Sequence, residues 1–144
     1  MVGRAEGPVS APASAPTGLG IRKILAVGYA EALATVPAAL QAEGFGVLTE
    51  IDVRETLKKK LDVDFRRYKI LGTCNPPLAH RALQADREVG LMLPCNVIVY
   101  EGDDGRAVVV AVDPMRTVAA RENPEIARVA EAVRAKLERV LDRL

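Results

Sequence analysis

The feature that most restricts the fold is a pair of apolar, β-branched runs, Asn96-Val97-Ile98-Val99-Tyr100 and Ala107-Val108-Val109-Val110-Ala111-Val112, with Gly102-Asp103-Asp104-Gly105 between them. Branched side chains lose little freedom in extended backbone and pack well on a pleated surface. Gly and Asp tolerate the conformations a tight reversal needs. The two runs therefore predict an antiparallel hairpin, closed by Asp113-Pro114, with a sheet at the centre of the fold. Leu91-Met92-Leu93 reads as the opening of the first of these strands. Pro94 interrupts it, and because proline donates no ladder hydrogen bond, a bulge or an edge position is expected there.

Other elements follow from punctuation and period. Residues 21–28 form a short apolar strand, and residues 29–43 an Ala-rich helix in which Pro37 marks a possible break and restart. Gly44-Phe45-Gly46 ends it and leads into a strand, Val47-Leu48-Thr49-Glu50-Ile51. Asp52 is placed to cap the next helix, with Glu55 three residues on and Val53, Leu57 and Leu61 as a buried stripe. Lys58-Lys59-Lys60 falls on its solvated faces. Residues 68–74 read as a third strand, and Asn75-Pro76-Pro77 stops it and opens a short helix to about Ala85. The last helix has Asn123 as cap, Pro124 in its first turn and a seam of Ile126, Val129, Val133, Leu137, Val140 and Leu144. That seam covers either the sheet or a partner. The sum is an α+β two-layer sandwich, a mixed or antiparallel sheet with helices on one face.

A chain of 144 residues can bury a core without a disulfide or a metal. Residues 1–20 are rich in Ala, Pro and Gly and lack the apolar block of a secretory leader, so a disordered tail is expected, with one folded unit over residues 21–144. No run is long enough to span a membrane, and a cytoplasmic protein is expected, in which Cys74 and Cys95 stay reduced. Twenty basic against 19 acidic residues, five aromatics and no Trp argue against a nucleic-acid partner. The single His excludes a multi-histidine metal centre within one chain.

The stretch best suited to chemistry is Thr73-Cys74-Asn75-Pro76-Pro77-Leu78-Ala79-His80, which sets a thiol at the end of a strand and the start of a helix. A helix N-terminus favours a thiolate. Here two prolines remove two donors, leaving mainly the amides of Leu78 and Ala79. If Cys95 lies on a neighbouring strand, Cys74, His80 and Cys95 become candidate ligands for a thiophilic metal, with Glu50, Asp52, water or a second subunit as a fourth. The competing reading makes both thiols small buried apolar residues and His80 a surface or satisfied polar group. Asn75 and Asn96, each following a cysteine, serve either to orient a catalytic pair or to satisfy backbone groups, the second being preferred. Glu50 and Asp52 alternate on a strand and offer a carboxylate pair, against the plainer roles of solvent-facing residue and helix cap.

The residues Gly44 to Val53, Thr56-Leu57-Lys58, Phe65, Tyr68, Ile70-Leu71-Gly72, Cys74 to His80, Leu91 to Asn96 and Asp113-Pro114 resemble, in order and spacing, a prokaryotic family termed domain of unknown function 302. The resemblance spans about residues 40–115 and leaves the tail and last helix outside it. It implies a small α+β domain that associates as a homodimer, and no particular activity, substrate or cofactor. Three functions stay open: a dimeric binding or accessory module with a pocket around Cys74, Asn75, His80, Cys95 and Asn96 for a small molecule or metal; a thiol-dependent enzyme with Cys74 as nucleophile and His80 as base; and a pure interaction module working through the last helix.

Overall fold

The computed structural model describes residues 18–116, 120 and 122–144. The expected disordered tail lies, up to residue 17, outside the described residues. Five strands form one sheet: β1 (Gly20–Gly28), β2 (Gly46–Asp52), β3 (Tyr68–Cys74), β4 (Cys95–Glu101) and β5 (Arg106–Val112). Their spatial order is β1-β5-β4-β3-β2 and every pairing is antiparallel, which settles the choice between mixed and antiparallel. The expected hairpin is β4–β5. Gly102 and Arg106 close its turn, the Gly102 amide donating to the Arg106 carbonyl at 2.8 Å.

Alternation sorts the sheet into two faces. Val97 and Val99 of β4, Ala107, Val109 and Ala111 of β5 and Leu71 of β3 belong to the buried core. Helices α1 (Tyr29–Ala42), α3 (Pro76–Ala85) and α4 (Pro124–Asp142) complete that core with Ala32, Val36, Leu40, Leu78 and the α4 seam. The seam of the last helix therefore covers its own chain. Asn123 caps α4 as expected, the Glu125 and Ile126 amides donating to its side chain, and Asn75 caps α3, its side chain accepting from the Leu78 amide. At the other end of α4, Lys23 Nζ donates to the carbonyls of Leu141 and Leu144 at 3.0 and 3.2 Å, setting a positive charge at the carbonyl end of the helix. Glu43, just past α1, accepts from Arg139 Nε at 2.9 Å and from Arg143 Nη2 at 2.9 Å. These two hydrogen bonds hold its carboxyl below the ordinary carboxylate range and tie α1 to α4.

Three local expectations are corrected. Helix α1 runs unbroken through Pro37, because that residue is exposed and water can replace the missing donor. Residues 91–92 are not strand: Arg87–Met92 is a 3-10 segment, the Leu93-Pro94 bond is cis, and β4 starts only at Cys95. The apolar triplet suggests a strand, yet Leu91 and Met92 end the 3-10 segment exposed, and only Leu93 packs against the core. Helix α2 (Val53–Leu61) is capped by Asp52 as expected, but its stripe is not buried. Val53 and Leu57 are half-buried and Leu61 is exposed, since α2 rests chiefly on β2 and β3 at one margin of the sheet.

Candidate functional site

Strands β3 and β4 are neighbours, so the two cysteines come close, with Thr73 opposite Cys95 in the register. Closeness is not convergence. Thr73 and Cys95 share the helix-facing side of the sheet, and Thr73 Oγ1 donates to the Cys95 carbonyl at 2.8 Å. Cys74, one residue on, alternates away from that side. Both thiols are free. His80 is exposed on α3 and Asn96 is exposed on β4. Among the described residues no group of three His, Cys, Asp or Glu side chains is arranged to hold a metal ion, so Cys74, His80 and Cys95 do not form the ligand set considered above.

The start of α3 is spent on structure. Asn75 is buried, its Nδ2 donating to the Glu43 carbonyl at 3.3 Å and its Oδ1 accepting from the Leu78 amide at 3.4 Å. The Ala79 amide donates to the Asn75 carbonyl at 2.9 Å. Both amides left by the two prolines thus have intrachain partners, and little remains there to stabilise a thiolate or an anion. The preferred sequence reading of Asn75 as a satisfier of backbone groups is what the geometry displays. Gly44 completes the arrangement: its φ of +86° suits glycine, and a Cβ there would stand 2.9 Å from Asn75 Nδ2. Asp52 is likewise committed, accepting from the Glu55 amide at 2.9 Å, while exposed Glu50 pairs with Lys69 at 3.6 Å. Each carboxylate thus has a structural partner, in keeping with the plainer roles of helix cap and solvent-facing residue.

What the sequence did not signal is a hollow on the helical side of Cys95. Its floor is Cys95 with Leu93, and its walls are Ala82 of α3, Val89 of the 3-10 segment, and Val129 and Val133 of α4. The volume is about 70 Å³. Met92 stands at the opening, 47% exposed, next to Leu91 at 87%. These residues were legible only as strand and helix seam, because the hollow exists only once the 3-10 segment folds back between α3 and β4. Burial pushes the Cys95 thiol up to about 11, with a smaller contribution from nearby Cys74. At neutral pH the group is a neutral thiol and a poor nucleophile. Alkylation of Cys95 by iodoacetamide is therefore expected to be slow at pH 7.5 and to accelerate about tenfold per pH unit up to roughly pH 11. Peptide mass spectrometry of timed samples measures this, and labelling of Cys95 at the rate of a free thiol at pH 7.5 would contradict it.

The family model for domain of unknown function DUF302 matches residues 21–144. The chain belongs to the DUF302 family. For this DUF302 domain the match begins well before residue 40 and takes in the last helix, which fits a helix whose seam closes the core. The crystal structure of an uncharacterized conserved DUF302 protein from Bacillus stearothermophilus is similar, with 30% sequence identity, a TM-score of 0.80, and coverage of 88% of this chain and 98% of that one. No curated protein matches the chain. Among the described residues no helix is long and apolar enough to cross a membrane.

Proposed function

We propose that this DUF302 domain is a binding module whose site is the hollow beside Cys95, and that it takes a small molecule. The observation that carries the reading is an opening of about 70 Å³ walled by apolar side chains from α3, α4 and the 3-10 segment at the edge of the core. Close-packed interiors rarely leave such space, and although it is below the ~300–1,000 Å³ of a site for a drug-sized ligand, its apolar lining suits the buried part of a small molecule. A small molecule is favoured over a thiophilic metal because, among the described residues, the lining offers a metal only the thioether of Met92 and the thiol of Cys95, which stays protonated. The thiol-enzyme alternative is disfavoured: Asn75 is spent on capping and the α3 amides are taken. Native mass spectrometry of gently desalted protein tests the proposal. A retained mass of small-molecule size is expected, and Ala82→Phe, checked for folding by circular dichroism, is expected to lose it. Retention of the same mass by a folded Ala82→Phe protein would contradict the assignment.

A second reading, association as a homodimer, is favoured by the other face of the sheet. Ile51, Ile70, Ile98, Val110 and Arg22 align in one row, and Tyr68, Tyr100, Val108 and Ile24 in the next. Tyr68 and Tyr100 stack at 5.4 Å, and Arg22 donates to the Tyr100 hydroxyl at 3.4 Å. Five strands of this length lay out a face of roughly 500 Å² before side-chain relief. That approaches the ~800 Å² per partner of a standard interface. Because Arg22 is the only charged residue in the two rows, a second copy is a suitable occupant: face against face, it brings apolar groups to apolar groups.

A further inference from the structure

Resting on the reading of the Cys95 hollow as a ligand site, we infer that the group it takes is the end of an unbranched, uncharged alkyl chain. Size is the first argument. A volume of about 70 Å³ is several times the ~10–15 Å³ that a single water needs, and is well below the ~150 Å³ of a cavity that encloses benzene. A ring is therefore too large and a chain terminus fits. Chemistry is the second. Among the described residues Cys95 is the only lining residue with an ionisable side chain, and burial keeps its thiol neutral, so none of them meets a charged group with an opposite charge.

The charged residues next in sequence to the lining supply the third argument. Arg81 of α3 pairs with Glu125 at 2.9 Å, and Arg134 of α4 with Asp113 at 3.1 Å. An ionised head group seated at the mouth would have to compete with these pairs. Apolar surface marks the way out: Met92 lines the hollow and is 47% exposed, and its unbranched thioether adapts to a passing chain. The remainder of the ligand accordingly lies over Met92, toward solvent.

Methyl-resolved NMR of the full chain tests this with four probes: 1-hexanol, hexanoate, hexylammonium and benzene. Saturable shifts of the Val89, Val129 and Val133 methyls with 1-hexanol are expected, and affinities about tenfold or more weaker for the other three, because a charged head laid over the apolar Met92 surface loses part of its hydration and the ring does not fit. Met92→Glu, at a surface position that leaves the core intact, is expected to weaken 1-hexanol by about tenfold through the same desolvation cost. Hexanoate or hexylammonium binding as tightly as 1-hexanol would overturn the inference of an uncharged chain and leave the pocket standing. Benzene matching 1-hexanol would overturn the chain shape. An unchanged affinity in Met92→Glu would overturn the exit path. Absence of saturable shifts at those methyls with all four probes would remove the inference together with the pocket.

Discussion

A chain ending at residue 123 is expected to lose cooperative folding altogether. Helix α4 buries Ile126, Val129, Ala130, Val133, Leu137, Val140 and Leu141. Full burial of a Val, Leu or Ile side chain contributes about 1.5–3 kcal/mol. Six such residues rival or exceed the ~5–15 kcal/mol by which a whole domain is stable. Truncation also strips two hydrogen-bonded guanidinium groups from buried Glu43 and one from buried Asp113. Each carboxylate would then be left without its main counter-charge. This reverses the outcome expected of an interaction module that works through its last helix, where the sheet would stay folded and only association would be lost. Thermal unfolding followed by circular dichroism measures it. A cooperative transition in the truncated chain would contradict the placement of α4 in the core.

Substitution of Ile24 by Glu is expected to convert a dimer to a monomer without unfolding it. Ile24 is 37% exposed on edge strand β1, in the row with Val108, Tyr100 and Tyr68, so in a single subunit the carboxylate stays in water. In a twofold interface the change occurs twice, and each copy sets a charge against apolar side chains. At about 1.5 kcal/mol or more per site, the dissociation constant should rise at least about a hundredfold. Sedimentation velocity across a concentration series reads the result. An Ile24→Glu protein as dimeric as the parent would exclude this face, and a parent chain monomeric at high micromolar concentration would exclude the dimer.

Local signals with a direct physical cause were legible in the sequence. Asp52 and Asn123 announced themselves as caps because each side chain needs only an amide two or three residues away. The hairpin was legible because two β-branched runs flanked a Gly-Asp turn. Non-local features were not. Whether Val53, Leu57 and Leu61 are covered depends on where α2 lands, which its own periodicity does not contain. The irregular register between Val47 and Thr49 follows from pairing with β3, and Gly72 shows why the fit is tight: a Cβ there would collide with Thr49 Oγ1 and stand 2.8 Å from Pro94 Cγ. Spacing of Cys74, His80 and Cys95 along the chain suggested a site that strand alternation takes apart. The hollow beside Cys95 was hidden because its walls come from residues 82 to 133, each of which reads on its own as ordinary core.

Xenon tests the central claim most directly, since it occupies apolar cavities through dispersion alone and needs no knowledge of the natural ligand. In crystals of the full chain held under xenon pressure, one ordered atom is expected against Val89, Leu93, Cys95 and Val129. A hollow that stays free of xenon, or one filled by hydrogen-bonded water, would contradict the account of this pocket as a site for an apolar ligand.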